Sequence, residues 1–162
     1  MSLSSLMNDD RRWMQKALRE AERAFEQDEV PVGAVVVHKG EVVGRGHNMV
    51  ETLKDPTAHA EMLAVTAACD TLGRKHLSDC TLYVTLEPCP MCAGALVHAR
   101  LGRLVFGALD EKAGAASTLY NIVQDERLNH RVEVIAGLEA DRAARLLQDF
   151  FRRKRRNGSR KG

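Results

Sequence analysis

Thr81-Leu82-Tyr83-Val84-Thr85-Leu86-Glu87-Pro88-Cys89-Pro90-Met91-Cys92 passes from an apolar run straight into two cysteines spaced three apart. The run reads as a strand that delivers a helix start. A helix over Pro90–Arg100 would carry Cys89 and Cys92 on neighbouring faces of its first turn. Arg103-Leu104-Val105-Phe106-Gly107 then resumes the strand pattern, which makes a βαβ unit with two parallel strands. Helix starts hold unsatisfied amides and partial positive charge, so they favour thiolate over thiol. Two thiolates supply half of a tetrahedral zinc site.

The other half is expected from His59-Ala60-Glu61, which follows the helix entry Asp55-Pro56-Thr57 and opens a second helix over Ala58–Leu72. One histidine and two cysteines leave the fourth position to water, the pattern of a catalytic zinc. Glu61, two residues past the histidine, is placed to shuttle the protons of that water. Taken alone, Cys-x-x-Cys fits a redox pair, a structural half-site or packed thiols equally well. His-x-Glu alone is commonplace on helices. In this order, on two helix starts, they form the pattern of zinc-dependent nucleobase deaminases. Glu87, just before Pro88, is read as a structural carboxylate supporting the zinc loop. Cys69, Cys80 or His130 could still close a four-ligand site, which would suit a non-catalytic, zinc-stabilised RNA-binding module instead.

With 162 residues, the chain is read as a single zinc-dependent domain over 1–162, with flexible ends at 1–8 and 155–162. A hydrophobic share of 44% and a charged share of 28% exclude a disordered or membrane-embedded class. No signal-peptide pattern opens the chain, and Cys69 and Cys80 read as inert core thiols, so the cytoplasm is the expected compartment. Net charge is only +2, but Arg152-Arg153-Lys154-Arg155-Arg156 and Arg160-Lys161 carry no acidic residue among them. Such a run suits a solvated helix end or contact with phosphates, and a polyanionic substrate favours the second.

Apolar residues of Asp9–Gln27 return at helical spacing, and Trp13 reads as core. Val30–His38 and Val42–Asn48 form a hairpin about the turn Lys39-Gly40-Glu41. Gly33 and Gly46 mark a bulge, a ligand's approach to the backbone, or a loss of side chain for packing alone. Asn48 would cap a turn or read a base edge. Gly73–Asp79 is loop-like with His76 exposed, and Asp110–Ser117 reads as a flexible loop. Val132–Ile135 is a fifth strand, and Leu138–Arg153 a last amphipathic helix. The order implies an α/β fold, a three-layer α/β/α sandwich on a mixed five-stranded sheet. Both ligand-bearing helices start where open α/β sheets bind ligands.

Val30–Ala34, Asp55–Glu61, Thr81–Ala95, Val105–Ala108, Asn129–Glu133 and Leu147–Arg152 together resemble the bacterial tRNA-specific adenosine deaminases of the cytidine-deaminase superfamily. The zinc motifs alone are shared with deaminases of cytidine, cytosine, guanine and riboflavin-pathway substrates; the flanking runs narrow the match. The resemblance implies a cytidine-deaminase-like homodimer that converts the wobble adenosine of a tRNA anticodon to inosine with one Zn²⁺ per subunit. It implies His59, Cys89 and Cys92 as zinc ligands and Glu61 as proton shuttle. Asn48 would contact the base and Asp110 the anticodon loop, with Val32, Ala60, Phe151 and Arg152 as further substrate contacts. Ser117–Leu128 departs most from the family pattern, and Leu109 stands where an arginine is expected, which bears on RNA contacts and not on the chemistry.

Overall fold

The computed structural model describes residues 3–160. Ten elements follow in chain order: α1 Leu3–Glu26, β1 Gly33–His38, β2 Glu41–His47, α2 Val50–Leu53, α3 Ala60–Leu72, β3 Cys80–Leu86, α4 Pro90–His98, β4 Arg103–Ala108, β5 Glu133–Ala136 and α5 Ala140–Arg160. The expected nine elements, four helices and five strands, are all present, and the one-turn α2 is an addition. The first and last helices run further than expected, through residues 3–8 and through 155–160, where flexible ends were anticipated. Arg155 and Arg156 are good helix formers that extend α5 beyond the packed turns before them, whereas Asn157, Gly158 and Ser159 add no such propensity. Residues 1–2 and 161–162, part of those anticipated ends, lie outside the described residues.

The sheet order is β2-β1-β3-β4-β5. β1 runs antiparallel to β2 and β3, while β3, β4 and β5 are parallel, as the βαβ crossover demands. The hairpin turns on Lys39 and Gly40, both at positive φ (49° and 75°), the two-residue turn whose twist matches the strands. Strand alternation sorts the core into two layers. Val35, Val37, Tyr83 and Val105 face Trp13, Met14, Ala17 and Leu18 of α1 and Ala143 of α5. Ala34, Val36, Leu82, Val84, Leu104 and Phe106 face Ala64 and Ala68 of α3 and Ala93 and Leu96 of α4. Each large side chain buried there contributes about 1.5–3 kcal/mol.

The strand glycines answer the question the sequence left open. A Cβ at Gly33 would fall 2.1 Å from the Ala17 carbonyl of α1, and one at Gly46 would fall 2.4 Å from the Ala60 carbonyl of α3. The backbone that approaches them is helix, not ligand. The register slips between Val36 and Val37, opposite Val42–Gly44, so the bulge lies a few residues from either glycine. Gly44 and Gly46 let the small face Ala60, Ala64 and Ala68 press onto β2, which brings the start of α3 beside the end of β2. Trp13 is core as expected, and Leu77 makes the 73–79 loop less polar than it reads, since it is fully buried.

Candidate active site

Two helix starts meet at the carboxyl end of β3. His59 is the N-cap of α3 and Cys89 the N-cap of α4, with Pro90 and Cys92 in the first turn. Asp55 does not cap α3; its Oδ1 accepts from the Thr57 amide and hydroxyl at 2.8 and 2.7 Å, forming a turn ahead of the helix. His59 Nδ1 lies 3.6 Å from Cys89 Sγ and 3.5 Å from Cys92 Sγ. Zinc bonds to nitrogen and sulfur at tetrahedral angles hold their donor atoms about 3.6 Å apart. The donor set and its spacing therefore fit zinc. Among the described residues these three form the metal-competent group. Cys80 sits beside Asp79, and His130 Nε2 bonds the Leu101 carbonyl at 2.6 Å, so neither closes the site.

The electrostatics suit a cation. Cys89 is pushed down to about 4 by the hydrogen bond from the Cys92 thiol, against burial, with His59 and the Cys92 amide adding to the effect. The Cys92 thiol is shifted up by its bond to Cys89 and by burial. The Cys89 sulfur likewise raises His59. Cys80, by contrast, is pushed up to about 11 by burial and the neighbouring Asp79, an inert core thiol as expected, and Cys69 is raised by burial. All four cysteines are free of disulfides.

Glu61 is buried at the first turn of α3, and burial raises its carboxyl above the ordinary range despite its own amide and His59. Glu87 is equally buried and moves the other way. Its Oε2 accepts from the amides of Ala116, Ser117 and Thr118 at 3.1, 2.8 and 2.9 Å, and its Oε1 from the Asp110 amide at 3.1 Å. The Thr118 hydroxyl also donates to it. Burial alone would raise Glu87, but these donors hold it below the usual carboxylate range. The 110–117 loop, expected to be flexible, is thus fastened to the strand end that carries Cys89.

These groups open onto a cavity of about 700 Å³. Val32, Asn48, His59, Glu61, Cys89 and Asp110 line it, as anticipated. Asn48 Oδ1 accepts the Ala60 amide at 2.9 Å, so one carboxamide ties β2 to α3 and faces the cavity. Ala60 is fully buried and does not line the cavity. Asp110 Oδ1 accepts from Lys112 and Ala113, which fixes its turn. Phe151 and Arg152 also lie outside the lining; Phe151 is exposed and Arg152 pairs with Asp149 at 3.3 Å. Their neighbours Phe150 and Lys154 line it instead, with Gln27, Asp28 and Glu29 from the end of α1. Glu29 accepts from the Glu51 and Thr52 amides and the Thr52 hydroxyl, which anchors α2 over the opening. The charge run signalled Lys154 only as one cation of several; Asp28 and Glu29 carried no signal at all.

The chain matches the MafB19-like deaminase family over residues 8–155. It is 48% identical to the tRNA-specific adenosine deaminase of Bacillus subtilis over 157 residues, which span 96% of this chain and 98% of that one. A solved tRNA:A34 deaminase, studied for A-to-I editing at the wobble position of transfer RNA, superposes with a TM-score of 0.81 at 43% identity, covering 84% of this chain and 99% of the other. The guanine deaminase of Nitrosomonas europaea shares the fold with a TM-score of 0.76 at 26% identity, covering 86% of this chain and 83% of its own.

Proposed function

We propose, for a chain that belongs to the tRNA-specific adenosine deaminases within the MafB19-like deaminase family, hydrolytic deamination of the wobble adenosine of a tRNA anticodon to inosine. The observation that carries the reading is the grouping of His59, Cys89 and Cys92 beside the buried Glu61, with His59, Glu61 and Cys89 lining one cavity. His59, Cys89 and Cys92 would hold a Zn²⁺, which supplies the acidity that brings a water's pKa from 15.7 towards about 7.

Glu61 does the proton work. As water adds to C6 of adenine, Glu61 takes a proton from it and delivers it to N1. Glu61 next carries the remaining hydroxyl proton to the exocyclic amine, the C6–N bond breaks, and ammonia leaves a keto purine. Its burial suits this duty, because a carboxyl raised above the ordinary range is a stronger proton acceptor than an exposed one. Asn48 and Val32 flank the base, and Asp110 stands at the cavity wall that Glu87 holds in place. A target base reaches such a site only by leaving its stack, which an exposed anticodon loop permits more cheaply than a duplex.

The enzyme acts as a homodimer in the cytoplasm on this reading. Family membership supports the dimer, and so do Leu119, Tyr120 and Leu128, large apolar side chains left exposed between β4 and β5. Among the described residues no helix is long and apolar enough to cross a membrane. Phe151 and Arg152, exposed on α5, are assigned to RNA outside the cavity, and Ala60 acts through the amide that orients Asn48.

The guanine deaminase likeness sustains one rival, a deaminase of free bases. The deciding experiment is inosine formation by zinc-replete protein on a tRNA arginine transcript with A at the wobble position, beside free guanine, cytosine, adenosine and cytidine. Inosine in the transcript alone is the expected result. Turnover of a free base without the transcript would overturn the RNA assignment and leave the deaminase chemistry standing.

A further inference from the structure

Asp28 follows the end of α1 in the left-handed region, at φ 61°. Non-glycine residues avoid that region, with aspartate and asparagine the tolerated exceptions. An anion at a helix C-terminus also opposes the helix dipole. Two cations of α5 nonetheless converge on this carboxylate. Lys154 Nζ lies 2.5 Å from Oδ2 and an Arg153 guanidinium nitrogen 3.3 Å from Oδ1. Arg153 also stacks over the Phe25 ring at 4.3 Å and donates to the Phe25 carbonyl at 3.1 Å, which fixes it against α1 beside Asp28, a residue of the cavity lining.

Charge in the cavity makes this pairing consequential. Glu29, Glu87 and Asp110 are occupied by backbone amides, Glu61 is the buried catalytic candidate, and Glu51, exposed in the lining, pairs loosely with Lys54 at 3.9 Å. Among the described residues Lys154 is the one lysine or arginine in the lining, and Asp28 pairs with it. When a nucleotide of an RNA enters base first, its flanking phosphates stay outside and meet the rim.

We infer that Lys154 and Arg153 form the docking point for a phosphodiester flanking the target nucleotide, and that Asp28 is a built-in competitor that occupies them until RNA displaces it. The inference rests on the RNA reading above. The exchange is cheap in both directions: the Asp28 side chain is already 59% exposed, so it returns to water at little cost, and exposed ion pairs are weak. A free nucleobase brings no phosphate and leaves the clasp shut. Asp28 therefore trades RNA affinity for release, at a position the catalytic residues do not touch.

The test is Asp28→Asn, which keeps the tolerance for the left-handed conformation. Affinity for an anticodon stem-loop RNA bearing A at the wobble position is read by fluorescence anisotropy at stepped KCl concentrations. Binding should tighten about two- to five-fold at low salt, the size of one exposed charge pair. The slope of log affinity against log salt should steepen by about one phosphate contact. In a Lys154→Gln background the same substitution should give a smaller gain. Unchanged or weaker binding, or an undiminished gain without Lys154, overturns the clasp. Inosine formation by the parent protein on the same RNA keeps the two failures apart. If the parent makes inosine and Asp28→Asn leaves binding unmoved, the clasp falls alone; if it makes none, the RNA reading falls and anisotropy still decides the clasp.

Discussion

Glu61 and Glu87 are both buried, and each stands two residues from a proposed metal ligand, one after His59 and the other before Cys89. They are nonetheless opposite devices. Glu87 faces four backbone amides and a hydroxyl, so its anion is solvated by the protein and its proton is expelled. Glu61 has no such cradle, and burial drives it towards the protonated form. The comparison teaches that burial alone does not make a carboxylate functional. What matters is whether the surrounding donors commit it to one charge state or leave it free to exchange a proton.

The largest expected effect separates the two by rate. Glu61→Gln keeps the size of the side chain and removes the exchangeable proton, so turnover should fall about 10²- to 10⁴-fold, a general acid–base contribution. Metal content and melting temperature should stay near those of the parent. Retained turnover would strip Glu61 of its role. The next effect separates them by stability. Glu87→Gln sets an NH₂ against amides that all donate, leaving buried groups unmatched at a cost of about 3 kcal/mol or more. For a chain of this size that is a fall of roughly 6–12 °C in melting temperature. Thermal melts of both variants side by side test the contrast. A Glu87→Gln protein that melts like the parent but turns over nothing would move Glu87 from the frame to the chemistry.

The contrast also shows what the sequence made legible. Ligand types and spacing pointed to His59, Glu61, Cys89 and Cys92 because the pattern is local to two helix starts, which the fold brings together. The parallel pair β3 and β4 followed from the short crossover between them, and Glu87's structural duty from its place before Pro88. Its partners at 110–118 were hidden, since nothing in a loop's composition says which distant carboxylate its amides will meet. Phe150 and Phe151 illustrate a similar limit. Adjacent helix positions differ by about 100°, and which one turns inward depends on how α5 is phased against the sheet. The α2 turn is too short for any periodicity to register. The basic run looked alike as a solvated tail or a structured rim, and only the fold returned Lys154 to the cavity that Asp28 shares.

A third buried carboxylate, far from the chemistry, gives the smallest effect and the sharpest control. Asp10 of α1 accepts from Tyr83 Oη at 2.6 Å and from two nitrogens of Arg103 at 2.8 and 2.6 Å, joining α1 to β3 and β4. Burial would raise Asp10, but Arg103 and Tyr83 outweigh it and the net shift is downward. A depressed carboxylate binds fewer protons folded than unfolded, so its stabilisation is complete above its unfolded value, about 3.9. That stabilisation fades as pH falls through the folded value. Asp10→Asn should therefore cost about 1.5–3 kcal/mol at pH 7, the range for a hydrogen bond to a charged group. The gap to the parent should narrow steadily in denaturant melts taken from pH 5 down to pH 3. Glu87 and Glu29 titrate over the same acid range in both proteins, so their contribution cancels in the difference. A gap that stays constant with pH would mean that Asp10 acts through shape and not through charge. The inference that donors set a buried carboxylate's duty would then lose its simplest case.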